Sequence, residues 1–298
     1  MLELIATFRG ELAALSAAFV WAMSSVVYSR VGQRIPPLQL NLIKGGFAIA
    51  MILVTLGLRG TFFPEIPTLS LLLLALSGIL GIGLGDTAFF NTLNRLGARR
   101  TLLVQTLAPP LTALLAVTFL DEVLTKTAVF GISLILFGVA WVISDRVSET
   151  PAETQNLWQG TMWGVVSALS QAGGAVLSRA ALAETPATPL SGALVRLVAG
   201  VAVLPLWMVW MPGAVKWKPV RSPRMWGILA VAAFFSTYLA IWLQQTSLKF
   251  APAGVSQTLG ATSPLFVLPV AAWTGEKIGL RAVLGAIAAV AGVGLLFS

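Results

Sequence analysis

Three ionisable side chains lie inside long apolar stretches of the chain: Lys44, Asp86 and Arg196. Charge within a bilayer is costly, so each of these residues is a candidate functional group. Asp86 follows the glycine-rich stretch GIGLG, and a carboxylate that faces a cavity could bind a proton, a sodium ion or an ammonium group. We therefore take Asp86 as the candidate coupling residue, the residue that would link the binding of such an ion to the function of the protein. The alternative is that it lies near a helix end and pairs with Arg95 or Lys44.

Lys44 and Arg196 stand at matching places in the two halves of the chain, which predicts a shared role. Each lies one or two turns into an apolar run, and its long stem can carry the charge to the membrane interface. We expect both to be structural or gating residues. Binding of a substrate carboxylate is the alternative.

Prolines interrupt two apolar runs at matching places, Pro109-Pro110 and Pro264. Each removes a backbone N–H and frees carbonyl groups at mid-membrane depth, which is typical of binding sites in repeated membrane folds. Kinks that only shape the bundle are the alternative. Polar residues precede both kinks, and aromatic pairs share helix faces nearby. The candidate substrate-binding residues are Trp21, Ser25, Tyr28, Asp86, Phe90, Gln105, Pro110, Gln171, Tyr238, Trp242, Gln257, Thr262 and Pro264.

The composition excludes several kinds of chemistry. The chain has no Cys and no His, so it lacks thiolate ligands, disulfides and the commonest metal ligand. We expect no metal, no cofactor and no enzymatic activity.

Only 10% of the residues are charged and 57% are hydrophobic, whereas a soluble domain has about 25% charged residues. The net charge of +8 is not gathered in a separate basic domain, so we expect no nucleic-acid partner.

Ten apolar runs are long enough to be spanning helices, because a helix needs about 20 residues to cross the hydrocarbon core. They lie near 11–31, 38–58, 69–94, 98–120, 126–144, 158–181, 189–211, 225–248, 251–273 and 279–297. The connections are short and contain Pro, Gly or charge. The stretch DRVSETPAETQN falls at the midpoint and reads as a linker.

The chain repeats itself at a spacing of 154 residues, with Pro110, Glu122, Gly131 and Gly138 matching Pro264, Glu276, Gly285 and Gly292. Five crossings in each half would invert the second half relative to the first. We predict an all-α membrane protein of ten transmembrane helices, arranged as two inverted five-helix repeats around a central cavity. The first repeat is 1–148, the linker 149–157 and the second repeat 158–298.

Glu122 and Glu276 follow the kinked helices, with Lys126 close to the first of them. We expect these acids to be structural or gating residues that cap the following helix and pair locally. The glycines at 131 and 138, and those at 285 and 292, are seven residues apart and share a helix face. Small residues on one face favour close packing of helices.

The blocks 96–143 and 250–297 resemble the EamA module of the drug/metabolite transporter superfamily, with its mid-helix Pro, its Glu just past that helix and its paired glycines. The resemblance implies a ten-helix carrier in the cell (inner) membrane with cytoplasmic termini. It implies substrates such as amino acids, other small metabolites, nucleotide sugars or drugs, and we expect an exporter, working by alternating access. A channel-like or scaffold protein is the alternative, and an intramembrane enzyme is a weaker one.

The charges disagree with that orientation. Lys and Arg are more frequent in the loops that would then face outward, and positive-inside counting favours both termini outside. The expected partners are a small-molecule substrate, the lipid bilayer and protons as the candidate coupling ion. Both a monomer and a homodimer fit the sequence.

Overall fold

The computed structural model describes residues 6–31, 35, 37–60, 66–144, 157–210, 220, 222–273 and 279–297, with no β-strand in these ranges. The first half forms α1 (Arg9–Val31), α2 (Pro37–Leu58), α3 (Thr68–Gly78), α4 (Asp86–Gln105), α5 (Ala108–Phe119) and α6 (Lys126–Ser144). The second half forms α7 (Leu157–Leu182), α8 (Pro189–Trp210), α9 (Pro223–Ala233), α10 (Ala240–Phe250), α11 (Ala253–Gly260), α12 (Ser263–Trp273) and α13 (Leu280–Leu296). Two π-helical segments, Ile79–Gly85 and Phe234–Leu239, join α3 to α4 and α9 to α10.

The protein is an integral membrane protein. Seven helices among the described residues are long and apolar enough to cross a bilayer, and α13 is a shorter apolar helix. Large apolar side chains such as Leu72, Leu114 and Val290 are exposed on the outer surface. Lipid tails are as apolar as these side chains, so this surface suits a bilayer. Residues 149–156 of the predicted linker lie outside the described residues.

The chain reverses direction within the range of α4. A Cβ added to Gly164 on α7 would lie 2.7 Å from a methyl carbon of Val104 and 3.3 Å from the methyl carbon of Thr92. Twelve residues of straight helix rise about 18 Å, so the chain must reverse direction between these two residues. The reversal agrees with the boundary predicted between the apolar runs 69–94 and 98–120.

Both predicted proline kinks are complete helix breaks. α4 ends at Gln105 and α5 begins at Ala108, while α11 ends at Gly260 and α12 begins at Ser263. Pro109 and Pro264 each hold the second position of the new helix, where a missing N–H costs no helical hydrogen bond. Pro109 and Pro264 thus hold the same position in the two breaks, whereas the 154-residue spacing aligns Pro110 with Pro264.

The paired glycines pack α6 against α13. An added Cβ at Gly131 would lie 3.0 Å from the Gly292 carbonyl oxygen, and one at Gly285 would lie 2.7 Å from the Gly138 carbonyl oxygen. The two contacts exchange repeat-related residues, so a local two-fold axis passes between the antiparallel helices. The predicted packing role of these glycines is confirmed.

The two π-helical segments also follow the repeat, which sequence analysis missed. They begin at Ile79 and Phe234, one residue away from the 154-residue spacing. A π-helical turn widens the helix and often marks a functional site. Here each segment lies midway along a spanning helix of its own half.

Candidate functional site

A cavity of about 480 Å³ lies between the two halves and is lined by residues of both. Its volume falls in the range that suits a small molecule. Six of the predicted substrate-binding residues line it: Trp21, Asp86, Gln105, Gln171, Gln257 and Pro264. The structure therefore brings these six residues together at one cavity, and their role in substrate binding stays a prediction.

Four other predicted residues do not line this cavity. Pro110 is exposed, whereas its neighbour Pro109 faces the cavity. Tyr238 is buried in an apolar cluster, and its hydroxyl lies 2.9 Å from that of Thr55. The remaining two are also engaged elsewhere: the ring of Trp242 lies under the guanidinium of Arg59, and the hydroxyl of Thr262 donates to the Leu259 carbonyl.

Four predicted residues cannot be placed. The side chains of Ser25, Tyr28 and Phe90 lie outside the described residues, although their backbones are helical. Glu276 lies outside them entirely. The roles predicted for these residues stay predictions.

The carboxylate of Asp86 faces the cavity at the start of α4. Gln171 on α7 donates from Nε2 to Asp86 Oδ1 at 3.4 Å, and the carboxylate interacts electrostatically with Lys44 and Arg196. The predicted alternative of pairing with Arg95 is wrong. Arg95 lies more than two turns further along and donates from Nη1 to Asn91 Oδ1 at 2.8 Å.

Arg196 on α8 points into the protein. Only 3% of the residue is exposed, and both it and Lys44 line the cavity. The expectation that Arg196 reaches the membrane interface is therefore wrong. Glycines make room for its guanidinium: a Cβ on Gly81 would lie 2.7 Å from Arg196 Nη2, and one on Gly174 would lie 3.5 Å from it. The first π-helical segment thus accommodates a charge from the other half.

Amide side chains connect the cavity to the backbone around it. Gln105 donates from Nε2 to Ser167 Oγ at 2.8 Å, and Ser167 in turn donates to the carbonyl of Gly85 at 2.9 Å. Gln257 donates to the Gln171 carbonyl at 3.4 Å. These bonds join the ends of α4 and α11, where the helices break, to α7.

Sequence analysis missed several polar residues of the cavity, among them Asn41, Gln244 and Thr237. Asn41 precedes Lys44 by three residues on α2, so the two share a helix face, and this spacing was an available signal. Gln244 accepts a long hydrogen bond of 3.4 Å from Arg196 Nη1. No periodicity within α10 could have shown that contact.

Glu122 joins the two halves beyond the end of α5. Its Oε1 accepts from Arg179 Nε at 2.7 Å, and its Oε2 accepts from the N–H of Ala253, the first residue of α11, at 2.9 Å. Arg179 Nη1 also donates to the carbonyl of Lys249 at 2.7 Å. The predicted local pairing and capping of the next helix are wrong, because the carboxylate caps a helix N-terminus in the other half.

Comparison with known proteins assigns a family to this arrangement. The model of the EamA-like transporter family matches the chain twice, at residues 8–144 and 158–298. The chain belongs to the EamA-like transporter family. The two matches correspond to the two halves whose helices enclose the cavity, and membership makes the protein a membrane transporter of small molecules.

Two further proteins resemble this chain. The chain is 28% identical over 221 residues to YyaM of Bacillus subtilis strain 168, an uncharacterized transporter, over 72% of this chain and 70% of that protein. One crystal structure superposes with a TM-score of 0.77 at 16% sequence identity, covering 97% of this chain and 96% of the other. At that identity the superposition shows the shared fold alone.

Proposed function

We propose that this EamA-like transporter is a ten-helix secondary carrier that exports small metabolites, amino acids or related compounds with an apolar or aromatic body, by alternating access. The observation that carries the proposal is the cavity between the halves, with charged and amide groups from both. Two inverted units around one site could exchange roles and open the site to either side of the membrane. The export direction rests on the family resemblance.

The count of ten crossings adds three elements to the seven long helices. α1, the broken pair α11–α12 and the shorter α13 each match one of the apolar runs. Each half then crosses the membrane five times. We place the protein in the cell membrane with both termini in the cytoplasm.

Counterflow in proteoliposomes tests the carrier. Vesicles loaded with unlabelled phenylalanine, leucine or phenylacetate are diluted into the labelled compound, with protein-free vesicles as the control. We expect a transient, saturable accumulation of at least one compound above its external concentration. Flux that follows the gradient without overshoot would support a channel, and absence of protein-dependent flux for every compound would reject the carrier.

A fluorescent protein fused after Ser298 tests the orientation, because such a reporter does not fluoresce when it is exported unfolded to the periplasm. We expect fluorescent cells. Dark cells that contain the full-length fusion would instead support the orientation favoured by the charge count.

A further inference from the structure

The cavity carries an excess of positive charge. Its charged lining residues among the described part of the chain are Lys44, Arg196 and Asp86, which together give a formal net charge of +1. Because Arg196 is almost completely buried, bulk water does little to screen it. Such a cavity attracts one negative charge and repels a cation.

Two buried hydrogen-bond donors at the cavity lack a partner among the described residues, Arg196 Nε and Asn41 Nδ2. Both residues are more than nine-tenths buried, and both line the cavity. An unpaired buried donor is costly and calls for a missing acceptor. No acceptor of the described residues meets either donor, so an oxygen of a bound molecule is a candidate partner for both.

The guanidinium of Arg196 is held in place before any ligand arrives. Its Nη2 edge lies against Gly81 and Gly174, and its Nη1 donates to Gln244. Its Nε is left without a partner among the described residues. A planar arginine fork suits the two oxygens of a carboxylate, and a group already in place loses little entropy on binding.

We propose that Arg196, with Asn41 and Lys44, binds the carboxylate of a small organic monoanion with an apolar body. This inference rests on the proposed carrier function and names its substrate class. One carboxylate neutralises the net charge of the cavity and supplies acceptors for the two unpaired donors. Asp86 disfavours a second negative charge, and Trp21, Phe89 and Val201 provide apolar lining for the body.

A series of compounds with one body and different head groups tests the charge preference. Phenylacetate, phenylacetamide, phenethylamine and phenylalanine are titrated against the full-length protein in detergent, with equilibrium binding and thermal stabilisation as readouts. Butyrate is added as a carboxylate with a smaller body. We expect phenylacetate or butyrate to bind, and the amide and the amine to bind at least about tenfold more weakly than phenylacetate.

Variants test the residue. Arg196→Gln should weaken carboxylate binding by at least about tenfold, and Arg196→Lys, which keeps the charge without the fork, should weaken it less. The control Arg9→Gln removes a basic residue that packs over Phe250 outside the cavity lining and should change nothing. Asp86→Asn should bind phenylacetate at least as tightly as the unmodified protein, because it removes a repelling charge.

Three results would overturn the site: no binding of either carboxylate, equal binding of phenethylamine or phenylacetamide, or an equal loss in the Arg196 and Arg9 variants. If Arg196→Gln fails to purify as a folded protein, Arg196→Lys decides the matter through its loss relative to Arg9→Gln. Carboxylate binding without counterflow would keep the site and reject the carrier. Counterflow of phenylalanine or leucine without binding of phenylacetate or butyrate would keep the carrier and reject the site.

Discussion

The two π-helical segments occupy equivalent places in the repeat but carry different side chains. Ile79–Gly85 has glycine at 81, 83 and 85, and it leaves room for the guanidinium of Arg196. Phe234–Leu239 has aromatic and hydroxyl side chains instead, and Phe234 stacks on Tyr238 with ring centroids 5.3 Å apart. The repeat thus preserves a backbone distortion while the chemistry of the two halves diverges.

The residue that follows each segment sharpens this difference. Asp86 begins α4 and faces the cavity, whereas Ala240 begins α10 and is fully buried. Each half contributes one basic residue, Lys44 in the first and Arg196 in the second. Asp86 has no acidic counterpart, so it is the residue that breaks the symmetry. At this pair of positions the protein therefore has one acidic side chain rather than two.

The largest effect is expected for Asp86→Asn. If Asp86 is the proton-coupling group, the substitution should reduce proton-driven transport by about a hundredfold and remove its dependence on a pH gradient, while counterflow without a gradient persists. Transport assays in vesicles with and without an imposed pH gradient measure both quantities.

Asp121→Asn is the matched control for that variant. Asp121 is exposed and has a φ of 52°, a left-handed conformation that asparagine also tolerates. Transport by this control should equal that of the unmodified protein. If Asp86→Asn kept its full response to the pH gradient, Asp86 would not be the coupling residue.

A smaller effect is expected for Gly81→Ala. The new Cβ would lie 2.7 Å from Arg196 Nη2 and would displace the guanidinium from its position against Gly81 and Gly174. Binding of phenylacetate should weaken by about tenfold, because the fork loses its orientation. Equilibrium binding to the purified variant measures this loss.

Gly83→Ala provides the comparison within the same segment. Its Cβ would meet Val203 at 3.4 Å, an ordinary van der Waals contact, so binding should stay within about twofold of the original. Equal losses in the two variants would mean that the segment as a whole, rather than the contact of Gly81 with Arg196, controls binding.

The smallest effect on transport is expected in the second segment, for Tyr238→Phe. The substitution removes the hydroxyl that pairs with Thr55, and it should lower the free energy of unfolding by about 1 kcal/mol. Transport should change by less than about twofold, since Tyr238 lies outside the cavity lining.

Thr55→Val tests the same bond from its other end. The double variant should lose less stability than the two single losses combined, because the single variants share one interaction. A tenfold loss of transport in Tyr238→Phe would show that the aromatic segment takes part in transport and would weaken the contrast between the segments.

Much of the fold and part of the site could be predicted from the sequence. Apolar runs and a repeat spacing are local or periodic features, so they located the helices, the helix breaks and the packing glycines. The cavity residues Gln105 and Gln257 also followed, because polar groups beside a break must turn away from lipid. Tyr238 and Trp242 were misplaced, since a shared helix face does not say whether it meets the cavity or a neighbouring helix.

The sequence by itself determined that this chain is a membrane protein with two related halves, because hydropathy and internal similarity are properties of the chain alone. Only the tertiary structure decided that Arg196 is buried beside Gly81 and that Glu122 caps a helix of the other half. These contacts join residues more than a hundred positions apart. Their geometry depends on how the halves pack, which no local pattern encodes.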